Sequence, residues 1–185
     1  MKAGIVLAPG ASATRGHSSL VAIDELLAPE GIAVERIDLP SSRPGPKVLS
    51  TITEAAGALA ARTGLPPQRI ALGGRSFGGR MCSMVVADGL PALALVLVSY
   101  PLHPPGRPET MRIEHLPRLD VPCLFVSGTR DPFASPAELE TAGAAVHGPV
   151  THVWIEGGGH GLSRRDTEVA AAVRSWLLAL PGLRG

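Results

Sequence analysis

The sequence predicts an α/β protein, a three-layer α/β/α sandwich around about six parallel strands. Short aliphatic runs alternate along the chain with longer amphipathic ones, and Gly, Pro or Ser separates each from the next. That alternation is the sequence form of repeated βα units. Composition agrees: hydrophobic residues make up 45% of the chain and aromatics only 3%, so the core must be built from Val, Leu, Ile and Ala. Such cores belong to parallel sheets covered on both faces. The 185 residues fit one domain, 1–185, and a chain of that size buries roughly 70% of the surface it exposes when unfolded.

Strands are expected at Gly4–Ala8, Ala33–Asp38, Arg69–Gly73, Ala94–Ser99, Cys123–Ser127 and Val150–Ile155, all six reading as buried and therefore parallel. Helices are expected at Ser18–Leu27, Val48–Thr63, Phe77–Asp88, Pro136–Ala145 and Arg164–Leu180, with a weaker helical turn at Ile113–Leu116. Right-handed crossovers place these helices on both faces of the sheet. The Pro-rich stretches Pro40–Pro46 and Pro101–Pro108 read as loops at the carboxyl ends of strands, where open α/β sheets bind ligands.

Lys plus Arg number 17 against 16 Asp plus Glu, with no run of like charge, so nothing is shaped to hold nucleic acid or an anionic membrane by charge. Cys82 and Cys123 lie in apolar surroundings without a second ligand at metal spacing. Both read as reduced core residues of a cytoplasmic protein, and no metal is expected. The first apolar run is too short for a signal peptide and Pro9-Gly10 breaks it; no apolar stretch is long enough to span a membrane.

The chemistry concentrates in Gly73-Gly74-Arg75-Ser76-Phe77-Gly78-Gly79, a G-x-S-x-G directly after a strand and directly before a helix. In that setting Ser76 sits on a sharp turn above the sheet, and the flanking glycines let neighbouring backbone pass without a Cβ clash. The backbone N–H of Phe77 then opens the helix and points at a carbonyl oxygen under attack. A serine needs a base to take its proton. His160, in Gly157-Gly158-Gly159-His160-Gly161 just past the last strand, supplies one, and Asp131, just past the strand ending at Ser127, orients it. Their separation of 29 residues leaves room for one helix and one strand, which puts the two loops on neighbouring strands.

The second oxyanion amide is expected in the loop after the first strand, where Gly10 and Ala11 offer N–H groups and Ala11 is favoured. Candidate pocket residues are Gly10, His17, Arg75, Tyr100 and His103. His115, His147 and His152 read as structural or solvated. Glu156 is a poorer acid than Asp131, since it projects from the strand that carries His160. A P-loop is excluded because Arg80-Met81 stand where Lys-Ser/Thr is required. Pro9–Gly16 lacks the dinucleotide glycine pattern, so no cofactor is expected.

On these motifs, together with Pro9–Ala11, Ser99–Gly106 and Gly128–Phe133, the chain resembles the compact α/β-hydrolases related to dienelactone hydrolase. Within them it is similar to small bacterial members grouped with testis-expressed and nonspecific-lethal-complex subunit proteins. The resemblance implies an α/β-hydrolase core without a cap domain, and a triad of Ser76, Asp131 and His160. Dienelactone hydrolase itself carries a cysteine where this chain has Ser76, which argues against dienelactone as substrate. Two functions are therefore expected to compete: a serine hydrolase acting on a small-molecule ester or thioester, and a catalytically idle domain used as a protein-binding scaffold. An intact triad favours the first; the oligomeric state is left open.

Overall fold

Side chains alternate across a strand, so in β1 (Ala3–Ala8) Ile5 and Leu7 face one way and Val6 and Ala8 the other. Both sets are fully buried, which requires a helical layer on each side. The computed structural model describes residues 1–183 and supplies both. β1, β2 (Ile32–Arg36), β3 (Ile70–Arg75), β4 (Leu95–Val98), β5 (Cys123–Gly128) and β6 (Val150–Ile155) form a sheet of order β2-β1-β3-β4-β5-β6. Every neighbouring pair is parallel.

The strand order and the right-handed crossover rule decide which face each helix covers. The chain steps from β1 outward to β2, then returns past β1 to β3 and continues in that direction to β6. α1 (Ser18–Leu27) therefore lies on one face, and α2 (Pro46–Thr63), α3 (Phe77–Ala87) and α4 (Pro136–Gly143) on the other. α5 (Asp166–Ala179) comes back to join α1, with Val169, Val173 and Leu177 packed in the same layer as Leu20, Ile23 and Leu27. The reversal falls between β1 and β3, so the loops leaving their carboxyl ends diverge and open a crevice there.

The element boundaries shift for local reasons. β3 runs past Gly73 to Arg75, because Gly73 and Gly74 still pair with Val96 and Leu97 of β4. β4 stops at Val98 because Ser99 takes a φ of 50°. Arg164, with φ 62°, cannot be helical, and α5 starts at Asp166. The turn expected at Ile113–Leu116 forms slightly later, as a 3-10 turn at Leu116–Arg118. β6 was expected to be buried, yet Val150 to Trp154 keep part of their surface in solvent, since β6 is an edge strand with one sheet neighbour. None of the described helices is long and apolar enough to cross a membrane.

Under α3, three polar groups share the core: Nε2 of His115 lies 2.8 Å from Ser83 Oγ and 3.2 Å from the Tyr100 hydroxyl. Burial pulls His115 down to about 4, helped by the Arg80 and Arg118 charges. The Tyr100 hydroxyl is pushed up to about 12 by burial.

Two outcomes follow. A Cβ on Gly74 would sit 2.0 Å from the Ala8 carbonyl oxygen, at a φ of 154° that side chains rarely adopt. Gly74→Ala should cost at least about 3 kcal/mol in urea unfolding; a loss below 1 kcal/mol, about the cost of an ordinary substitution, would refute the close approach. The fold holds His115 neutral, so its contribution is complete above its ordinary value of 6.5 and lost as pH falls towards about 4. The urea midpoint of His115→Gln should therefore fall less steeply than wild type across that window; parallel curves would mean that His115 titrates freely.

Candidate active site

Ser76 is the residue on which β3 hands over to α3, and it has φ 48° and ψ −115°. A non-glycine residue held there reflects strain imposed by its surroundings. The surroundings are the end of β1: a Cβ on Gly78 would lie 2.4 Å from the Pro9 oxygen and 2.5 Å from the Ala8 oxygen. Glycine at 74 and 78 therefore lets β1 press against both sides of the turn. The Ser76 amide donates to the Val98 oxygen at 2.7 Å, which fixes the turn against β4 as well.

Two further loops meet above Ser76. The ends of β5 and β6 nearly touch: a Cβ on Gly128 would be 2.1 Å from the Gly158 oxygen. The Arg130 amide donates to that same oxygen at 2.8 Å and the Thr129 amide to Ile155 at 3.1 Å. These bonds lock the Asp131 loop to the His160 loop. Asp131, with its side chain 1% exposed, accepts from the Phe133 amide at 2.9 Å and faces Nδ1 of His160 with both oxygens, at 3.0 and 2.9 Å. With Nδ1–H donating to the carboxylate, Nε2 is left to accept from Ser76 Oγ at 2.8 Å. Phe133 stacks on the imidazole at 4.0 Å between ring centres. Glu156 points away into solvent and accepts from the Thr129 hydroxyl at 3.3 Å.

A cavity of about 790 Å³ opens over these residues. Gly10, Ala11, His17, Arg75, Ser76, Phe77 and His160 all line it. Phe77 stands in the first turn of α3, where N–H groups have no intrahelical acceptor, and the Ala11 amide makes no bond among the described residues. His17 caps α1, its Nδ1 accepting from the Ser19 amide at 3.3 Å. Burial lowers its pKa and so does the Arg75 charge, against a smaller opposing pull from Asp166.

Tyr100 and His103 do not line this cavity, contrary to expectation. The Tyr100 ring turns into the core, edge-on to Phe125 at 5.6 Å, and its hydroxyl joins His115. His103 is buried beside α4, with Nε2 3.4 Å from Glu138. Their places are taken by Arg80, Arg112, Phe133, Pro101 and the Ser42–Pro44 loop. Position on α3 four residues after Ser76 was the available signal for Arg80; Arg112 had none. Arg75 does more than line the wall, for its Nη2 donates to the His160 carbonyl at 2.7 Å and so ties β3 to the histidine loop. Cys82 and Cys123 are buried thiols pushed up to about 12 by burial, which leaves neither as a thiolate nucleophile. Among the described residues no group of three or more His, Cys, Asp or Glu could hold a metal ion.

Several known proteins share this architecture. A dienelactone hydrolase from Anabaena variabilis superposes with a TM-score of 0.76 at 20% identity, over 95% of this chain and 85% of that one. The esterase domain of a Rhodothermus marinus protein gives 0.72 at 18% identity, over 95% and 85%. In sequence, epoxide hydrolase A of Mycobacterium tuberculosis is 38% identical over 63 residues, 34% of this chain. The match spans about 20% of that relative's length. A model of the alpha/beta hydrolase domain matches residues 1–177, nearly the whole chain, and the chain belongs to that family.

Proposed function

We propose that the chain is a serine hydrolase that cleaves a small ester or thioester through an acyl-enzyme on Ser76. The observation that carries this reading is the continuous relay from Ser76 Oγ through His160 to Asp131, at 2.8 and 2.9 Å, at the floor of an open cavity. In the forward step Ser76 Oγ bonds to the substrate carbonyl carbon while its proton passes to His160 Nε2. The amides of Phe77 and Ala11 receive the negative charge on the carbonyl oxygen. His160 returns the proton to the leaving alcohol or thiol, and the same groups then direct water onto the acyl-enzyme. Asp131 holds Nδ1–H throughout.

The alternative, an idle scaffold, gives no reason for a strained serine at the meeting point of three loops. The narrower kinship with small bacterial members of the dienelactone hydrolase group rests on the motif stretches, and some of that group are read as scaffolds. Between β4 and β5 the chain makes one 3-10 turn and no α-helix, so that segment builds no helical cap over the site. Small soluble substrates fit that opening.

A fluorophosphonate tests the machinery without the natural substrate, since it reacts only with an activated serine backed by an oxyanion site. Wild type should gain one adduct on the peptide containing Ser76, Ser76→Ala none, and His160→Ala should label far more slowly. A folded wild type that resists labelling under conditions saturating a known serine esterase would favour the scaffold. On a p-nitrophenyl ester that is turned over, Asp131→Asn should lower kcat by roughly three to four orders of magnitude; near wild-type turnover would place the acid elsewhere.

A further inference from the structure

The walls of the cavity carry three arginines, Arg75, Arg80 and Arg112, and no carboxylate. Arg75 is occupied with the His160 carbonyl. Neither the Arg80 nor the Arg112 side chain makes a hydrogen bond or ion pair among the described residues, although both are partly buried, and Nε of Arg80 is fully buried without a partner. The other described arginines behave differently. Arg15, Arg36, Arg62, Arg118, Arg165 and Arg174 pair with carboxylates. Arg69 donates to the Lys2 and Gly182 carbonyls. Arg43, Arg107, Arg130 and Arg164, which lack partners, are exposed to water.

Withdrawing two guanidinium groups from water without giving either an acceptor is unfavourable, and placing them near one another adds repulsion. Burial is the largest influence on the Arg80 cation and disfavours it, as does the Arg112 charge, while the neighbouring Tyr100 oxygen favours it. The exposed Glu114 is the nearby carboxylate that favours it, and it stands outside the cavity. A bound anion would relieve both costs, and the planar donor fork of arginine suits carboxylate or phosphate oxygens.

From this arrangement we propose that the Arg80–Arg112 wall binds an anionic group, carboxylate or phosphate, on the substrate of the Ser76 site. The proposal rests on the serine hydrolase reading and narrows it: the ester or thioester carries a negative charge on its acyl chain or leaving group. Arg80 lies one helical turn from Ser76 on α3, and its amide donates to the Ser76 carbonyl at 3.0 Å, so anion and scissile carbonyl are held by one rigid element.

Two matched comparisons test it and separate the two sources of charge. For a carboxylate, p-nitrophenyl monoesters of adipate and pimelate are set against their neutral carboxamide isosteres. For a phosphate, butyryl-4′-phosphopantetheine is set against butyryl-pantetheine. In at least one arm the charged substrate should have the higher kcat/KM by roughly tenfold or more, and Arg80→Gln and Arg112→Gln should each bring the ratio towards one. Ratios near one in both arms of wild type, or a ratio that survives both substitutions, would overturn the proposal while leaving the hydrolase standing. Should Arg80→Gln fail to fold, Arg112→Gln, on a loop, decides by the same ratio. Should Ser76 neither label nor turn over any ester, the hydrolase reading falls. Calorimetry on folded Ser76→Ala with the adipate monoester and butyryl-4′-phosphopantetheine then decides: binding weakened by Arg112→Gln supports the anion wall, and no heat with either ligand overturns it.

Discussion

The structure depends on how closely the end of β1 approaches the turn between β3 and α3. Ala8 and Pro9 lie where Cβ atoms on Gly74 and Gly78 would have to be. Without that contact Ser76 would have no reason to hold a φ of 48°, a conformation that costs on the order of 1–3 kcal/mol in a serine. The same contact carries the loop after β1 over the serine, so that Gly10 and Ala11 line the cavity beside Ser76. One backbone approach thus sets both Ser76 and the loop that faces it.

A second approach, between Gly128 and Gly158, does the same for the other half of the site. It draws the loops after β5 and β6 together until the carboxylate and the imidazole share a hydrogen bond, and Phe133 closes over the ring. Arg75 then joins the halves, since it leaves β3 and ends on the His160 carbonyl. Burial disfavours its charge, and the Asp131 and Asp166 carboxylates offset part of that. The relay is therefore held by backbone packing at two glycine-rich crossings, with one guanidinium between them.

Much of this was legible because glycines and strand ends mark close backbone contacts directly in the sequence. Gly73–Gly79 and Gly157–Gly161 hold the glycines at which neighbouring backbone passes within a Cβ radius, Gly74, Gly78 and Gly158 among them, and each run contains a residue with reactive chemistry. Parallel strands read as aliphatic runs for the same reason that they lie in the middle of the sheet. The edge strand β6 misled that argument: its aliphatic and aromatic residues resemble a central strand, and they are half-covered by stacking, with His152 between Phe125 and Trp154. Boundaries were lost wherever a residue with an unfavourable φ, such as Ser99 or Arg164, interrupted a sound periodicity.

The misplaced pocket residues share one cause. A loop over the sheet after β4, as the sequence predicts, would aim Tyr100 and His103 at the serine. Tyr100 is instead drawn inward by Phe125 and by the buried Ser83–His115 pair, and this pulls the segment down beside α3. The Arg112 amide then donates to the Leu102 oxygen at 2.8 Å, bringing the returning chain alongside the outgoing one. The cavity receives Pro101 and Arg112 where Tyr100 and His103 were expected. A preference of one aromatic ring for the core thus changes the electrostatic character of the site, exchanging a phenol and an imidazole for a second unpaired guanidinium beside Arg80.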